Sequence, residues 1–156
     1  MVSPKARRIL FPIDRSDHSK RAIQWYLEKF AWENDVLYLV HVVEPNYSRR
    51  FSEVSPDDHT SALTSKMKES AAAGEQVGAQ YRSFLKERGK ESEFVMQVGT
   101  KPGEQIINAA RDLSADVIII GNRGVGTIRR TVLGSVSDYV FHHSSIPVIL
   151  VPPTVA

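Results

Sequence analysis

Residues 116–140 read DVIIIGNRGVGTIRRTVLGSVSDYV. Asp116 is followed by four β-branched residues, Val117 to Ile120, which run directly into a glycine turn. After a loop bearing Arg123, Arg129 and Arg130, an apolar spacing of three and four begins at Gly134 with Val136, Tyr139 and Val140. A strand that empties into a loop and then a helix is half of a βαβ unit. Because the strand is continuously apolar rather than alternating, it is expected to be covered on both faces, as in a parallel sheet.

The same rhythm extends outward to both ends of the chain. Strands are predicted over Arg8–Ile13, Asp35–Val43, Glu93–Val98, Asp116–Ile120 and Pro147–Val151. Helices are predicted over Ser16–Ala31, Ser61–Arg88, Gly103–Leu113 and Gly134–His143, from apolar stripes such as Ile23, Tyr26, Leu27 and Phe30. Strand and helix alternate throughout, so the expected fold class is α/β: one doubly wound domain spanning 1–156, a five-stranded parallel sheet with helices on both faces. Only 44–60, EPNYSRRFSEVSPDDHT, breaks the pattern. It reads as an excursion after the second strand, either a lid or a solvated mobile loop.

Composition bounds the function classes. The chain has 156 residues, a net charge of +2, 42% hydrophobic and 24% charged residues, and no cysteine. This is ordinary globular composition with one core's worth of chain. Disulfides, thiolate nucleophiles and Cys-based metal sites are excluded. The small positive balance argues against phosphate-driven nucleic-acid binding, and Arg49, Arg50, Arg129 and Arg130 lack interleaved aromatics. No run approaches the ~20 apolar residues of a membrane span. The expectation is a cytoplasmic protein without membrane or nucleic-acid partners.

In an open parallel sheet, ligands bind beyond the carboxyl ends of the strands, where the order of connection reverses. Those ends are Pro12-Ile13-Asp14, His41-Val42-Val43, Val98-Gly99 and Ile120-Gly121. The fourth continues into three glycines in a fixed frame, with two residues between Gly121 and Gly124, nine between Gly124 and Gly134, and then Ser135. Glycines allow a sharp turn and a close backbone approach to an anion. Gly134 and Ser135 open a helix whose first N–H groups attract phosphate, and the hydroxyls of Ser135 and Ser137 add donors. There is no GxxxxGK[ST], so this is not a P-loop. Arg129 stands where a dinucleotide fingerprint starting at Gly124 needs its third glycine, and the first strand is followed by DRSDHS. Asp14 has two readings: it caps the first helix, or it meets a sugar hydroxyl or base edge.

These residues carry a resemblance. ILFPIDRS near the start, LVHVVE at the second strand, and DVIIIGNRG followed by GSVSDYVFHHSSIPVILV resemble the universal stress protein family of the ATP-binding kind. The family's motif, G-2x-G-9x-G-[S/T], is matched by Gly121, Gly124, Gly134 and Ser135. The resemblance implies strand order 3-2-1-4-5, the adenine nucleotide alpha-hydrolase-like arrangement, and ATP with Mg²⁺ as ligand. It implies that Pro12, Ile13, Asp14 and Val42 hold adenine and ribose. Ile120, Gly121, Arg123 and Gly124 would then line the ribose–phosphate side, and Gly134, Ser135, Val136 and Ser137 would bind phosphates. It also implies a role in stress adaptation as a nucleotide-dependent regulatory module. The alternative is a nucleotide-independent dimeric scaffold of the same fold, a class that loses these glycines.

No catalytic group is assigned. There is no GxSxG around Ser135 or Ser137, and the five histidines show no HExxH spacing. Hydrolysis of ATP is expected to be slow at most. His41 is read as a packed, hydrogen-bonded strand residue, and His142 and His143 as suiting a helix carboxyl end. The apolar run 146–151 is expected to form an edge strand. It either pairs with a second copy to make a homodimer, as the resemblance implies, or is blunted by Pro147, Pro152 and Pro153.

Overall fold

The computed structural model describes residues 5–45, 56–122 and 134–153. The elements are β1 (Arg8–Pro12), α1 (Asp17–Lys29), β2 (Val36–Val43), α2 (Pro56–Lys86), β3 (Ser92–Val98), α3 (Pro102–Asp112), β4 (Val117–Gly121), α4 (Ser135–His143) and β5 (Val148–Val151). The strands form one parallel sheet in the order β3-β2-β1-β4-β5. The chain therefore winds outward from β1 through β2 to β3, then crosses to β4 on β1's other side. The reversal lies between β1 and β4. No helix among the described residues is long and apolar enough to cross a membrane.

Side-chain alternation along the central strand divides the interior. Ile9, Phe11 and Ile13 join Leu37, Leu39 and Ile119 in a core closed by Ala22, Ile23 and Tyr26 of α1 and Val77 and Leu85 of α2. Leu10 joins Tyr38, Val40 and Ile118 on the opposite face, closed by Ile106, Ile107 and Ala110 of α3 and Val140 of α4. A strand buried on both sides must be apolar at every position, which is why the strands do not alternate in sequence.

Backbone pairing explains where the sheet opens. Ile13 N–H donates to Val40 O and Val36 N–H to Arg7 O, so the odd-numbered residues of β1 bond toward β2. Asp116 N–H donates to Arg8 O, so the even-numbered residues face β4. Pro12 is even-numbered, and its missing N–H lies on the β4 side. Pairing of β1 with β4 is confined to Ile9↔Val117 and Leu10↔Ile118, whereas β4 continues beside β5 to Gly121↔Val151. The two strands part beyond Leu10.

One expectation needs correction. The excursion is shorter than 44–60, because α2 begins at Pro56 and takes in 56–60. Proline at the first helical position followed by Asp57 and Asp58 is helix-start chemistry, and the polar side chains hid it from an apolar-stripe reading. Residues 46–55 of the excursion lie outside the described residues. Over its 31 residues, α2 is roughly 46 Å long, about twice the ~23 Å of seven-residue β3.

The amino end of the sheet is locked by Asp35, whose carboxylate is 1% exposed. It accepts from Arg7 Nε (2.8 Å) and Nη2 (2.7 Å), from Tyr26 Oη (2.7 Å) and from the Trp32 backbone N–H (2.9 Å). The Arg7 guanidinium lies over the rings of Phe30 and Trp32. Burial pushes the Asp35 carboxyl up, but Arg7, Trp32 and Tyr26 together hold it below the usual carboxylate range. A depressed folded-state value stabilises above the unfolded value near ~3.9, and that contribution is lost as pH falls through the folded value. Asp35→Asn should therefore lose about 2–3 kcal/mol at pH 7 in urea unfolding. Its deficit relative to wild type should shrink below pH 4; a deficit constant from pH 7 to pH 3 would contradict the linkage.

Candidate functional site

The divergence of β1 from β4 opens a cleft at the carboxyl rim that encloses about 780 Å³, part of it open to solvent. Its floor is apolar: Pro12 from β1, Val40 and Val42 from β2, Ile120 from β4, and Pro102 and Ile106 from the start of α3. Its rim is polar: Asp14, Ser16, His18, Ser19, His41, Glu44, Ser135 and Ser137. Of the residues singled out from the sequence, Pro12, Ile13, Asp14, Val42, Ile120, Gly121, Gly134, Ser135, Val136 and Ser137 all line this one cleft. Arg123 and Gly124 lie outside the described residues, as do Arg129 and Arg130.

Asp14 plays the local role that competed with ligand binding in the sequence. Its Oδ1 accepts from the Ser16 N–H (2.8 Å), the Ser16 hydroxyl and the Ser19 hydroxyl (3.1 Å), and Ser19 Oγ accepts from the Asp14 N–H (2.9 Å). This Asx turn fixes the path from β1 into α1. Partial burial raises the Asp14 carboxyl, but the Ser16 and Ser19 bonds outweigh it and leave the group below its ordinary value, hence ionised. Among the described residues the hydrogen bonds to the carboxylate all fall on Oδ1, so one oxygen builds the turn, and Asp14 is also a cleft-lining residue.

The helix opposite supplies donors. The first N–H to find a carbonyl in α4 is that of Asp138, to Gly134 O at 2.8 Å. The N–H groups of Ser135, Val136 and Ser137 precede it and have no intrahelical acceptor. Ser137 differs from the sequence expectation. Its side chain is buried and its hydroxyl donates to Gly134 O at 3.1 Å, so its proton serves the turn. Ser135 is exposed, and its hydroxyl carries no such bond among the described residues.

The glycines are required for approach rather than for unusual dihedrals. Gly134 sits at φ −63°, ψ 155°, open to any residue. A Cβ on Gly121 would fall 2.2 Å from the His18 carbonyl oxygen, so α1 crosses β4 at a distance only glycine permits. Arg21, on the next turn of α1, donates through Nη2 to the Asn122 carbonyl.

His18, His41, Glu44 and Ile106 were missed as cleft residues. His41 was read as packed and hydrogen-bonded, and it is: Nδ1 lies 2.9 Å from Ile13 O. It also lines the cleft, because it stands at the end of β2 with its ring beside Gly74 of α2. The signals were position rather than motif: the last turn of a strand or the first turn of a helix on one rim.

Comparison with known proteins adds to this geometry. A sequence profile of the universal stress protein family matches residues 5–152. A Thermus aquaticus universal stress protein is 30% identical over 146 residues, covering 93% of this chain and 98% of that one. Universal stress protein MJ0577 of Methanocaldococcus jannaschii superimposes with a TM-score of 0.72 at 25% identity, over 96% of this chain and 98% of that one. An Arabidopsis thaliana universal stress protein solved with AMP bound shares the fold, with a TM-score of 0.66 at 21% identity over 95% and 92% of the two chains.

The Gly121 contact predicts a ranking of substitutions. Gly121→Ala must displace helix backbone and should cost about 1–3 kcal/mol. The three atoms nearest a Cβ on Gly99 all belong to the flexible Gln105 side chain, so Gly99→Ala should cost less, within about 0.5 kcal/mol. Thermal or urea unfolding of the pair tests this, and equal effects would contradict it.

Proposed function

Because the chain belongs to the universal stress protein family, we propose that it binds an adenine nucleotide, ATP with Mg²⁺, in the β1–β4 cleft and acts in stress adaptation as a nucleotide-dependent homodimeric regulator. The observation that carries this reading is the cleft itself. An apolar floor at the reversal of the sheet is flanked by a carboxylate on one side and an unpaired helix amino end on the other. In this reading Pro12, Ile13 and Val42 hold the base, and Asp14 Oδ2 accepts from ribose hydroxyls, as a carboxylate suits a sugar and repels a phosphate. Ile120, Gly121, Arg123 and Gly124 line the sugar–phosphate side. The N–H groups of Ser135, Val136 and Ser137, with the Ser135 hydroxyl, receive the phosphates.

No group of three or more His, Asp or Glu side chains able to hold a metal occurs among the described residues. The cation would enter with the nucleotide, ligated by phosphate oxygens and water. In this reading the nucleotide acts mainly as a signal, with at most slow hydrolysis. For assembly, β5 pairs with β4 alone among the described residues, and its outer edge over 146–151 is the surface through which two copies would join. The cytoplasm is the proposed location.

Calorimetric titration with ATP–Mg²⁺, AMP and adenosine tests the nucleotide, alongside mass spectrometry of anything released on denaturation. Gly124→Val should weaken ATP at least tenfold while unfolding at an unchanged urea midpoint. A folded wild-type protein that takes none of the three leaves the nucleotide-independent scaffold as the reading. Light scattering after size exclusion tests the dimer, and a monomer at micromolar concentration removes it.

A further inference from the structure

We propose that His41 is a positioning residue of the cleft: by occupying the Ile13 carbonyl it holds the Val42 peptide out of the sheet's ladder and leaves that peptide's polar groups to a ligand. The consequence rests on the nucleotide-binding reading above, in which Val42 meets the base; the geometry does not. Along a strand in a parallel sheet, the N–H and C=O of one residue point to the same neighbouring strand, and successive residues alternate between neighbours. Val36 N–H donates to Arg7 O and Val40 O accepts from Ile13 N–H, so the even-numbered residues of β2 face β1. Val43 O accepts from Gly99 N–H, so the odd-numbered ones face β3.

Val42 is therefore directed to the β1 side, and the next rung of the ladder would be its N–H on Ile13 O. Among the described residues that rung is not made: the register of β1 with β2 stops at Pro12↔Val40, and no backbone N–H reaches Ile13 O. The carbonyl instead lies 2.9 Å from His41 Nδ1. A carbonyl can only accept, so Nδ1 donates, whether or not the other ring nitrogen carries a proton. With that acceptor taken, neither the N–H nor the C=O of Val42 has a backbone partner on the β1 side among the described residues, and Val42 lines the cleft. Backbone groups that leave a ladder are met by water or by a ligand.

The imidazole is held from α2 and β3. His41 stands opposite Met96, and a Cβ added to Gly74 would fall 2.6 Å from His41 Cδ2 and 3.0 Å from Met96 Cε. The helix thus packs directly on the ring and leaves no room for a side chain at position 74. A freed peptide offers a donor beside an acceptor, which suits a base that presents a ring nitrogen beside an amino group, as adenine does. The effect of His41 therefore belongs to the base and not to the phosphates.

The test begins without nucleotide. Amide hydrogen exchange followed by ¹⁵N NMR should show Val42 exchanging roughly tenfold or more faster than Val40, which lies within the ladder. In His41→Leu the Ile13 carbonyl is vacated, Val42 N–H should take it, and exchange at Val42 should slow by about the same factor. That variant should bind adenosine, AMP and ATP–Mg²⁺ about tenfold more weakly, by a similar factor for each, because the lost contact is to the base. His41→Asn, whose side-chain amide offers an N–H near the position of Nδ1, should restore both fast exchange and affinity. Gly74→Ala, at a position that does not line the cleft, should displace the ring and slow Val42 exchange, and it covers the case in which His41→Leu does not fold. Slow exchange of Val42 in wild type, or exchange unchanged in the folded variants, overturns the proposal. So does a loss of affinity confined to ATP, or one that His41→Asn shares. If wild type binds none of the three, the nucleotide reading falls, and exchange at Val42 still decides what His41 does.

Discussion

The candidate site depends on a hydrogen bond that cannot form. Pro12 ends the central strand with its ring nitrogen turned toward β4, where a donor would otherwise extend the ladder. The strands separate, and the space between them becomes the cleft. In most central strands a proline is a defect, because it removes a bond from the middle of the sheet. Here it stands at the last position, at the sheet's point of reversal, so the loss falls where a ligand can use the gap. The geometry of the opening is thus a property of the backbone, built before any side chain is considered.

Around that opening the two ends of the sheet are managed differently. At the amino end, Asp35 is closed off by Arg7, Tyr26 and the Trp32 N–H, and every strong bond is internal. At the carboxyl end, Asp14 is only half engaged, and the first N–H groups of α4 are turned outward. One buried carboxylate is satisfied and structural. The other is bonded through Oδ1 to the first residues leading into α1 and lines the cleft.

Much of this was legible in the chain, for identifiable reasons. Apolar runs such as Val117–Ile120 and stripes such as Ile23 and Tyr26 report burial, and burial defines a doubly wound sheet, so element order and type are readable. Element ends are less so: α2 starts at Pro56 because proline and acidic residues suit a helix's first turn, a signal that an apolar stripe does not contain. Within the site, positions at strand ends could be named. Which hydroxyl proton is engaged could not, because Ser137 donates to Gly134 O only once the turn has formed. The reason for Gly121 was also hidden, since the contact with His18 is made across the sheet, 103 positions away in sequence.

The placement of β1 also has a consequence for how the chain comes together as it is made. β1 is synthesised first, yet one of its neighbours, β4, begins at Val117, and Arg8 N–H bonds Asp116 Oδ2 across 108 positions. While β4 is still within the ribosome, β1, β2 and β3 can pair, but the strand that will end in the middle is then an edge. An apolar edge of this kind invites pairing with the wrong chain. The interval between emergence of β3 and of β4 is therefore the vulnerable period of biosynthesis, and a nascent-chain chaperone would have its greatest effect there.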